Sequence, residues 1–281
     1  MSDANSKQAE YWEDLASTWL AASDHHERIA APFGNAAMAA LGEITGHQVL
    51  DIGCGSGGTT IELARMVGST GEAVGVDIAP AMVAAARRLA GGLGLENVRF
   101  LHADAQVSQI AEGRFDDAFS RFGVMFFDDP GSAFRNIRAM LKPGGQLAFS
   151  CWQNIFANEW MFIPGSAVIA VTGSLPPMPA EGQPGPFSLS DPTLIRAVLS
   201  DAGFTDVEVT PLNQVLVAPA AGVDSMVELS QRVGPVRETL LDADPETATK
   251  VLAAVRSALE AKVIDGELRL AAAAHIVTAR A

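Results

Sequence analysis

The chain is poor in cysteine, tyrosine and positive charge. Of 281 residues, two are cysteine, one is tyrosine and 6% are aromatic. Two cysteines do not build the disulfide framework of a small secreted scaffold, so Cys54 and Cys151 are expected to be reduced thiols in the cytoplasm. Lys and Arg number 19 against 33 Asp and Glu, a formal net charge of −14. An acidic surface repels phosphate backbones unless a local basic patch offsets it. The densest basic pair, Arg87-Arg88, falls on a predicted helix as part of a solvated face, so no nucleic-acid partner is expected. No apolar run is long enough to span a bilayer, and the polar stretch from Met1 to Glu10 lacks the apolar segment of a signal peptide.

What is present is core-forming. The chain is 48% hydrophobic and only 19% charged, which argues against general disorder and suits one sizeable α/β domain or one domain with a substantial insertion. Residues 1–47 are expected to be helical. Trp12, Leu15, Trp19 and Leu20 form one apolar stripe, and a second helix is expected over 34–41, after Pro32. From 48 to 152, strands (48–52, 73–78, 98–102, 116–120, 146–152) alternate with helices (59–67, 80–89, 132–141). Thr59 is the expected N-cap of the first of these helices, and Lys142-Pro143-Gly144-Gly145 closes the last. Such spacing admits one right-handed crossover per strand and a doubly wound parallel sheet. Residues 153–190 break the pattern with prolines and apolar anchors such as Trp160, and are expected to form a loop-rich lid. In the last part, 191–281, Asp191-Pro192 opens a helix, 205–212 and 268–278 are strands, and 222–262 is mostly a helical insertion.

The most informative segment is Val49-Leu50-Asp51-Ile52-Gly53-Cys54-Gly55-Ser56-Gly57. A buried strand runs into a glycine turn, and the turn runs into a helix. Alternate glycines let the backbone approach a ligand above the strand end, because no Cβ intervenes. Asp51 before the first glycine suits a cationic ligand better than a pyrophosphate. The dinucleotide fingerprint G-x-G-x-x-G is the rival reading, but the third glycine here comes one residue early. Asp77 ends the second strand, where a carboxylate can accept from both ribose hydroxyls, with Ile78 and Met82 offering apolar surface to a flat base. Asp104 follows the third strand. Its carboxylate can accept from the exocyclic amine of adenine while the Ala105 N–H meets a ring nitrogen. Ser120 ends the fourth strand, where its carbonyl can hold an ammonium group. Arg121 after it either binds a carboxylate or forms a surface ion pair.

These segments, together with Gly75-Val76-Asp77-Ile78, His102-Ala103-Asp104-Ala105 and Leu141-Lys142-Pro143-Gly144-Gly145, resemble the successive motifs of class I S-adenosylmethionine-dependent methyltransferases. The resemblance lies within the small-molecule branch that includes the quinone-biosynthesis C-methyltransferases. It covers about 45–152 well and 190–212 loosely. It implies a Rossmann-like seven-stranded sheet of order 3-2-1-4-5-7-6 with the last strand antiparallel. It also implies that Asp51, Gly53, Cys54, Gly55 and Gly57 lie by the methionine part of the cofactor, Asp77 by the ribose, and Asp104 with Ala105 by the adenine. The amino-methylating branch carries an Asn/Asp-Pro-Pro-Tyr/Phe run where this chain has Ser120-Arg121-Phe122-Gly123, which disfavours methylation of DNA bases or of protein glutamine.

The reaction so implied is an in-line displacement, in which the protein supplies alignment and a dry pocket. Weak candidates for a general base are His25, His26 and Asp128, or Asp129, which reads first as a helix N-cap. Trp19 and Phe33 belong to the expected N-terminal flap, and Arg121, Trp152 and Trp160 to the substrate side with the lid. The expected acceptor is a small, largely apolar or aromatic molecule. No metal is expected, and a homodimer is compatible with the sequence. Two other functions stay open at this point: a non-catalytic cofactor-binding protein, and an NAD-dependent dehydrogenase.

Overall fold

The computed structural model describes residues 5–21, 23–110, 114–176 and 183–281. Of residues 21, 23–26 and 28 it describes the backbone alone. Two helices open the chain, α1 (Ser6–Ala21) and α2 (Ser23–Ala40). They are followed by β1 (Gln48–Ile52), α3 (Gly58–Val67), β2 (Glu72–Asp77), α4 (Pro80–Leu93), β3 (Val98–His102) and β4 (Phe115–Arg121). Next come α5 (Pro130–Met140), β5 (Leu141–Trp152), α6 (Glu159–Thr172), α7 (Pro192–Asp201), β6 (Thr205–Pro219), α8 (Gly222–Arg232), α9 (Gly234–Asp242), α10 (Pro245–Glu260), β7 (Val263–Ile264) and β8 (Glu267–Arg280). The strands form one mixed sheet of order β3-β2-β1-β4-β5-β8-β6, with the two-residue β7 paired to β8. Setting β7 aside, this is the implied order 3-2-1-4-5-7-6. The strands β1 to β5 are parallel, and β8 runs antiparallel to β5 from Gln146 opposite Arg280 to Trp152 opposite Ala274.

The central strands are buried on both faces, which explains their unbroken apolar character. Val49, Leu50, Ala73, Val74, Ala118, Phe119, Leu147 and Ala148 are all fully buried. On one face α2 and α3 cover them, with Ala37, Met38, Leu41, Leu63 and Val67 in a single cluster with Val49, Phe119 and Ala148. Burial of a whole Leu or Val side chain contributes roughly 1.5–3 kcal/mol, so this layer stabilises the sheet substantially.

Four local expectations differ from the fold. Pro32 lies inside α2 instead of preceding a shorter helix. Its neighbour Phe33 is completely buried, and that packing offsets the hydrogen bond a proline cannot donate. Thr59 is not the N-cap of α3. Gly57 holds that place at φ 90°, and Thr59 turns to a buried carboxylate instead. Lys142-Pro143-Gly144-Gly145 belongs to β5, with a register irregularity against β4 between Phe115 and Asp117. The stretch 153–190, expected to be loop-rich, contains the 14-residue α6.

The chain divides into two compact units. One is Met1–Trp152 with Gln183–Leu212 and Ala274–Ala281; the other is Gln153–Gly182 with Asn213–Ala273. In the second, α6 packs on α9, where a Cβ on Gly165 would meet Pro235 at 3.3 Å. Asn158 is fully buried there. Its amide nitrogen donates to the Ala273 carbonyl at 3.1 Å and its oxygen accepts from the Ala273 N–H at 3.0 Å. Glu159 joins the Lys262 ammonium at 2.5 Å and accepts from the Ala271 N–H at 2.8 Å.

Candidate functional site

The site lies in the first unit, at the carboxyl ends of β1 to β4. The strand order reverses between β1 and β4, the place where open α/β sheets bind ligands. The glycine loop hangs from β2, as the Gly53 and Cys54 N–H groups both donate to the Val76 carbonyl at 2.9 and 3.0 Å. Gly53 has φ 68°, and a Cβ there would stand 2.9 Å from the Gly123 Cα, so only glycine lets the loop after β1 touch the loop after β4. Gly55 has φ 54°, and its absent Cβ would meet no atom within 4 Å, so the loop presents bare backbone to open space. Gly57 accepts from the Ile61 N–H and starts α3.

Asp51 is 0% exposed. One oxygen accepts from the Thr59 and Thr60 hydroxyls at 2.7 and 2.6 Å. The other, Oδ1, is buried and without a partner among the described residues. Burial pushes this carboxyl up to about 6, against the opposing pull of the Thr60 and Thr59 hydroxyls and of the Arg121 charge. Asp77 accepts from the Gly55 N–H at 2.8 Å and from the Ala79 N–H at 2.9 Å, and burial raises it as well. Asp104 is buried and accepts from the Gln106 N–H at 2.9 Å, while the Ala105 carbonyl takes the Asn136 amide at 2.9 Å. Cys54 is buried, and that burial beside Asp77 and Asp51 pushes its thiol well up, so it stays a protonated packing group and not a nucleophile. Met82 is buried with Ala16 and Ala79, under Trp12 and Trp19 of α1, and Ile78 follows directly on Asp77. Ser120 donates its hydroxyl to the Ile52 carbonyl at 2.8 Å and accepts from the Gly123 N–H at 3.2 Å, which ties the loop after β4 to the end of β1.

On the β4–β5 side stand three aromatic rings. Phe122 stacks on Trp152 with centroids 3.9 Å apart and planes 12° apart, and Phe33 meets both edge-on at 5.9 and 5.1 Å. Phe122 has φ 62°, a left-handed conformation that a bulky residue adopts only when its surroundings impose it. Arg121 forms a bidentate pair with Glu27 of α2 at 2.6 and 2.7 Å, so of its two readings the ion pair is the one the geometry shows.

The sequence-derived residues do not all gather here. Asp128 is exposed, and Asp129 caps α5 by accepting from the Ser132 N–H at 2.9 Å. The side chains of His25 and His26 lie outside the described residues. Trp160 belongs to the second unit, where its ring nitrogen donates to Asn158 at 3.2 Å. Sequence reading missed the Thr59 and Thr60 hydroxyls, the strain at Phe122 and the Glu27–Arg121 clamp. A Thr-Thr pair one turn beyond a buried strand carboxylate was the available signal for the first. Nothing local announces the other two. Among the described residues no group of three His, Cys, Asp or Glu is placed to hold a metal ion. No described helix is long and apolar enough to cross a membrane.

Residues 49–145 match the model of a methyltransferase domain. The aklanonic acid methyltransferase DauC of Streptomyces sp. (strain C5) is 30% identical over 163 residues, 56% of this chain and 73% of that protein. The ubiquinone/menaquinone biosynthesis C-methyltransferase UbiE of Cellvibrio japonicus is 29% identical over 192 residues, 66% of this chain and 77% of the relative. Among solved structures, phosphoethanolamine N-methyltransferase 2 of Haemonchus contortus with bound S-adenosyl-L-methionine superposes at a TM-score of 0.52 and 20% identity. The match covers 88% of this chain and 52% of that one, and at this identity the likeness is one of fold.

Proposed function

Because the chain belongs to the S-adenosylmethionine-dependent methyltransferases, we propose that it passes the cofactor's methyl group to a small, largely apolar or aromatic molecule by in-line displacement. Membership removes the dehydrogenase reading. When bound, the cofactor supplies a methyl carbon on a sulfonium sulfur, activated without help from the protein. The residues present fit such a ligand. Asp51 has a buried oxygen without a partner, Gly55 offers bare backbone, and the strand ends are lined with carboxylates.

In this reading Asp51 and the backbone of 53–57 hold the cationic methionine part, with Cys54 packed beneath and the Ser120 carbonyl alongside. Asp77 accepts from the ribose hydroxyls. Ile78 and Met82 flank the adenine, and Asp104 with the Ala105 N–H reads its edge. Phe122, backed by Trp152 and the buried Phe33, forms the wall facing the acceptor and keeps water from the line of transfer. Trp19 belongs with a flap over the cofactor. Alignment by these walls is the protein's main contribution, and no general base is assigned.

The observation that carries the acceptor class is Phe122, held at φ 62° with its ring flat on Trp152. That arrangement maintains strain of order 1–3 kcal/mol to present an apolar surface. A flat ring fits the quinone pathway named for the Cellvibrio relative. The test is S-adenosylhomocysteine release measured over a panel of flat aromatic and of equally small hydrophilic acceptors, for the wild type and Phe122→Ala. Turnover confined to the aromatic set, with the variant raising KM at least fivefold and leaving cofactor affinity unchanged, is the expected result. Preference for the hydrophilic set, or no response to Phe122→Ala, refutes the acceptor class.

A further inference from the structure

We propose that α1 is a lid that reads the nucleobase: the side-chain oxygens of Asn5 and Gln8 accept the exocyclic amine of adenine beside Asp104. The inference rests on the cofactor placement given above and extends it to a helix outside the matched domain. Asn5, Gln8, Trp12, Ala16 and Trp19 recur at spacings of three and four, and so lie on one stripe of α1. The helix is anchored on three strand ends. Asn5 donates its amide to Asp104 at 3.3 Å, after β3. Glu13 accepts from the Ala81 N–H at 3.2 Å and Ala16 packs on Ala79 and Met82, after β2. Trp12 meets Phe126 edge-on at 4.8 Å, after β4.

A helix that merely packs carries apolar side chains along such a stripe. Here the stripe begins with two amides. The Asn5 carbonyl accepts from the Gln8 and Ala9 N–H groups, so Asn5 occupies the N-cap position. An N-cap asparagine ordinarily turns its side-chain oxygen to the first free N–H groups of its own helix. Asn5 instead has φ 64°, its amide nitrogen engaged by Asp104 and its oxygen buried. The residue is 7% exposed, and neither its Oδ1 nor the Gln8 Oε1 has a partner among the described residues. Two buried acceptors beside an acidic residue call for a donor with more than one hydrogen. An aromatic amine supplies two, one for Asp104 and one shared between the two amide oxygens. A carbonyl at the same ring position would face acceptors alone and be rejected.

The test is calorimetric titration of the full chain with S-adenosylhomocysteine and with S-inosylhomocysteine, in which the amine is replaced by a carbonyl. The wild type is expected to bind the adenosyl compound at least tenfold more tightly. Asn5→Ala and Gln8→Ala should each weaken it about fivefold and leave the inosyl compound nearly unchanged, so that discrimination shrinks. Backbone amides of α1 should exchange more slowly with the adenosyl compound bound, and both variants should unfold cooperatively on heating, Gln8→Ala with the wild-type midpoint and Asn5→Ala slightly below it. Undiminished affinity and discrimination in both variants overturns the inference while leaving the cofactor site intact. Loss of response in Asp104→Asn as well, or no binding by the wild type, refutes the cofactor placement and the inference with it.

Discussion

The two ends of the parallel sheet are both crowded with carboxylates and treat them in opposite ways. At the amino-terminal ends each acid named here has a basic side chain as its partner. Asp116 meets Lys142 at 2.6 Å, Asp117 meets His47 at 2.6 Å, and Glu72 meets Arg114 at 2.5 Å and Arg99 as well. Against the desolvation of partial burial, the Gln48 N–H and the Lys142 ammonium hold Asp116 below the usual carboxylate range, although deeper burial still pushes Asp117 up. At the carboxyl ends the partners of Asp51, Asp77 and Asp104 are hydroxyls, backbone N–H groups and an amide, and Asp51 Oδ1 has none among the described residues. The Arg121 charge close by is shared with Glu27. Burying carboxylates without a countercharge destabilises a fold. The difference teaches that one end is finished as structure, whereas the other carries unspent negative charge suited to a cationic ligand.

The comparison breaks most visibly at Asp77. Asp77→Ala should weaken S-adenosylhomocysteine binding by on the order of 1–3 kcal/mol in a calorimetric titration, as expected for lost charge-assisted hydrogen bonds. An unchanged affinity would remove Asp77 from the site. A smaller effect is expected at Arg121, whose charge favours ionised Asp51. Arg121→Gln should move the pH midpoint of cofactor binding upward by less than about one unit, and a midpoint that stays put or moves down contradicts the electrostatic picture. The smallest effect belongs to the other end. Lys142→Ala removes a partly exposed ion pair, so chemical denaturation should show a loss of about 1 kcal/mol or less, and cofactor affinity should not change. A change in affinity there would show that the two ends are coupled.

The glycine turn after β1 and the acids at the strand ends were legible because their placement is local. A strand, a glycine turn and three acids at strand ends fix positions through the period of the backbone. Asp191 as the cap of α7, accepting from the Thr193 N–H at 2.8 Å, was legible for the same reason. What escaped depends on contacts distant in sequence. Thr59 reads as a cap, but the buried Asp51 demands its hydroxyl more strongly than the helix end does. Glu27 and Arg121 are 94 residues apart, and Asn5 and Asp104 are 99 apart, so no spacing rule links them. Phe122 looks like any apolar residue before a glycine. Its left-handed backbone follows from where Ser150 takes its N–H and where Trp152 takes its ring. The helix α6 was hidden by its uniform apolarity, with no polar face to betray a 3.6-residue period.

The central claim is that Asp51 holds the cationic end of the cofactor. Burial raises its folded value from 3.8 to about 6, so in the free protein the neutral form persists to higher pH than in the unfolded chain. This group therefore favours folding below about pH 4 and loses that contribution as pH rises through 6. A bound cation reverses the balance by favouring the carboxylate. S-adenosylhomocysteine affinity, measured by calorimetry from pH 5 to 7, should rise about tenfold as Asp51 ionises, with a proton released on binding at pH 5, and Asp51→Asn should flatten that rise. An identical pH profile for the two proteins would contradict the account.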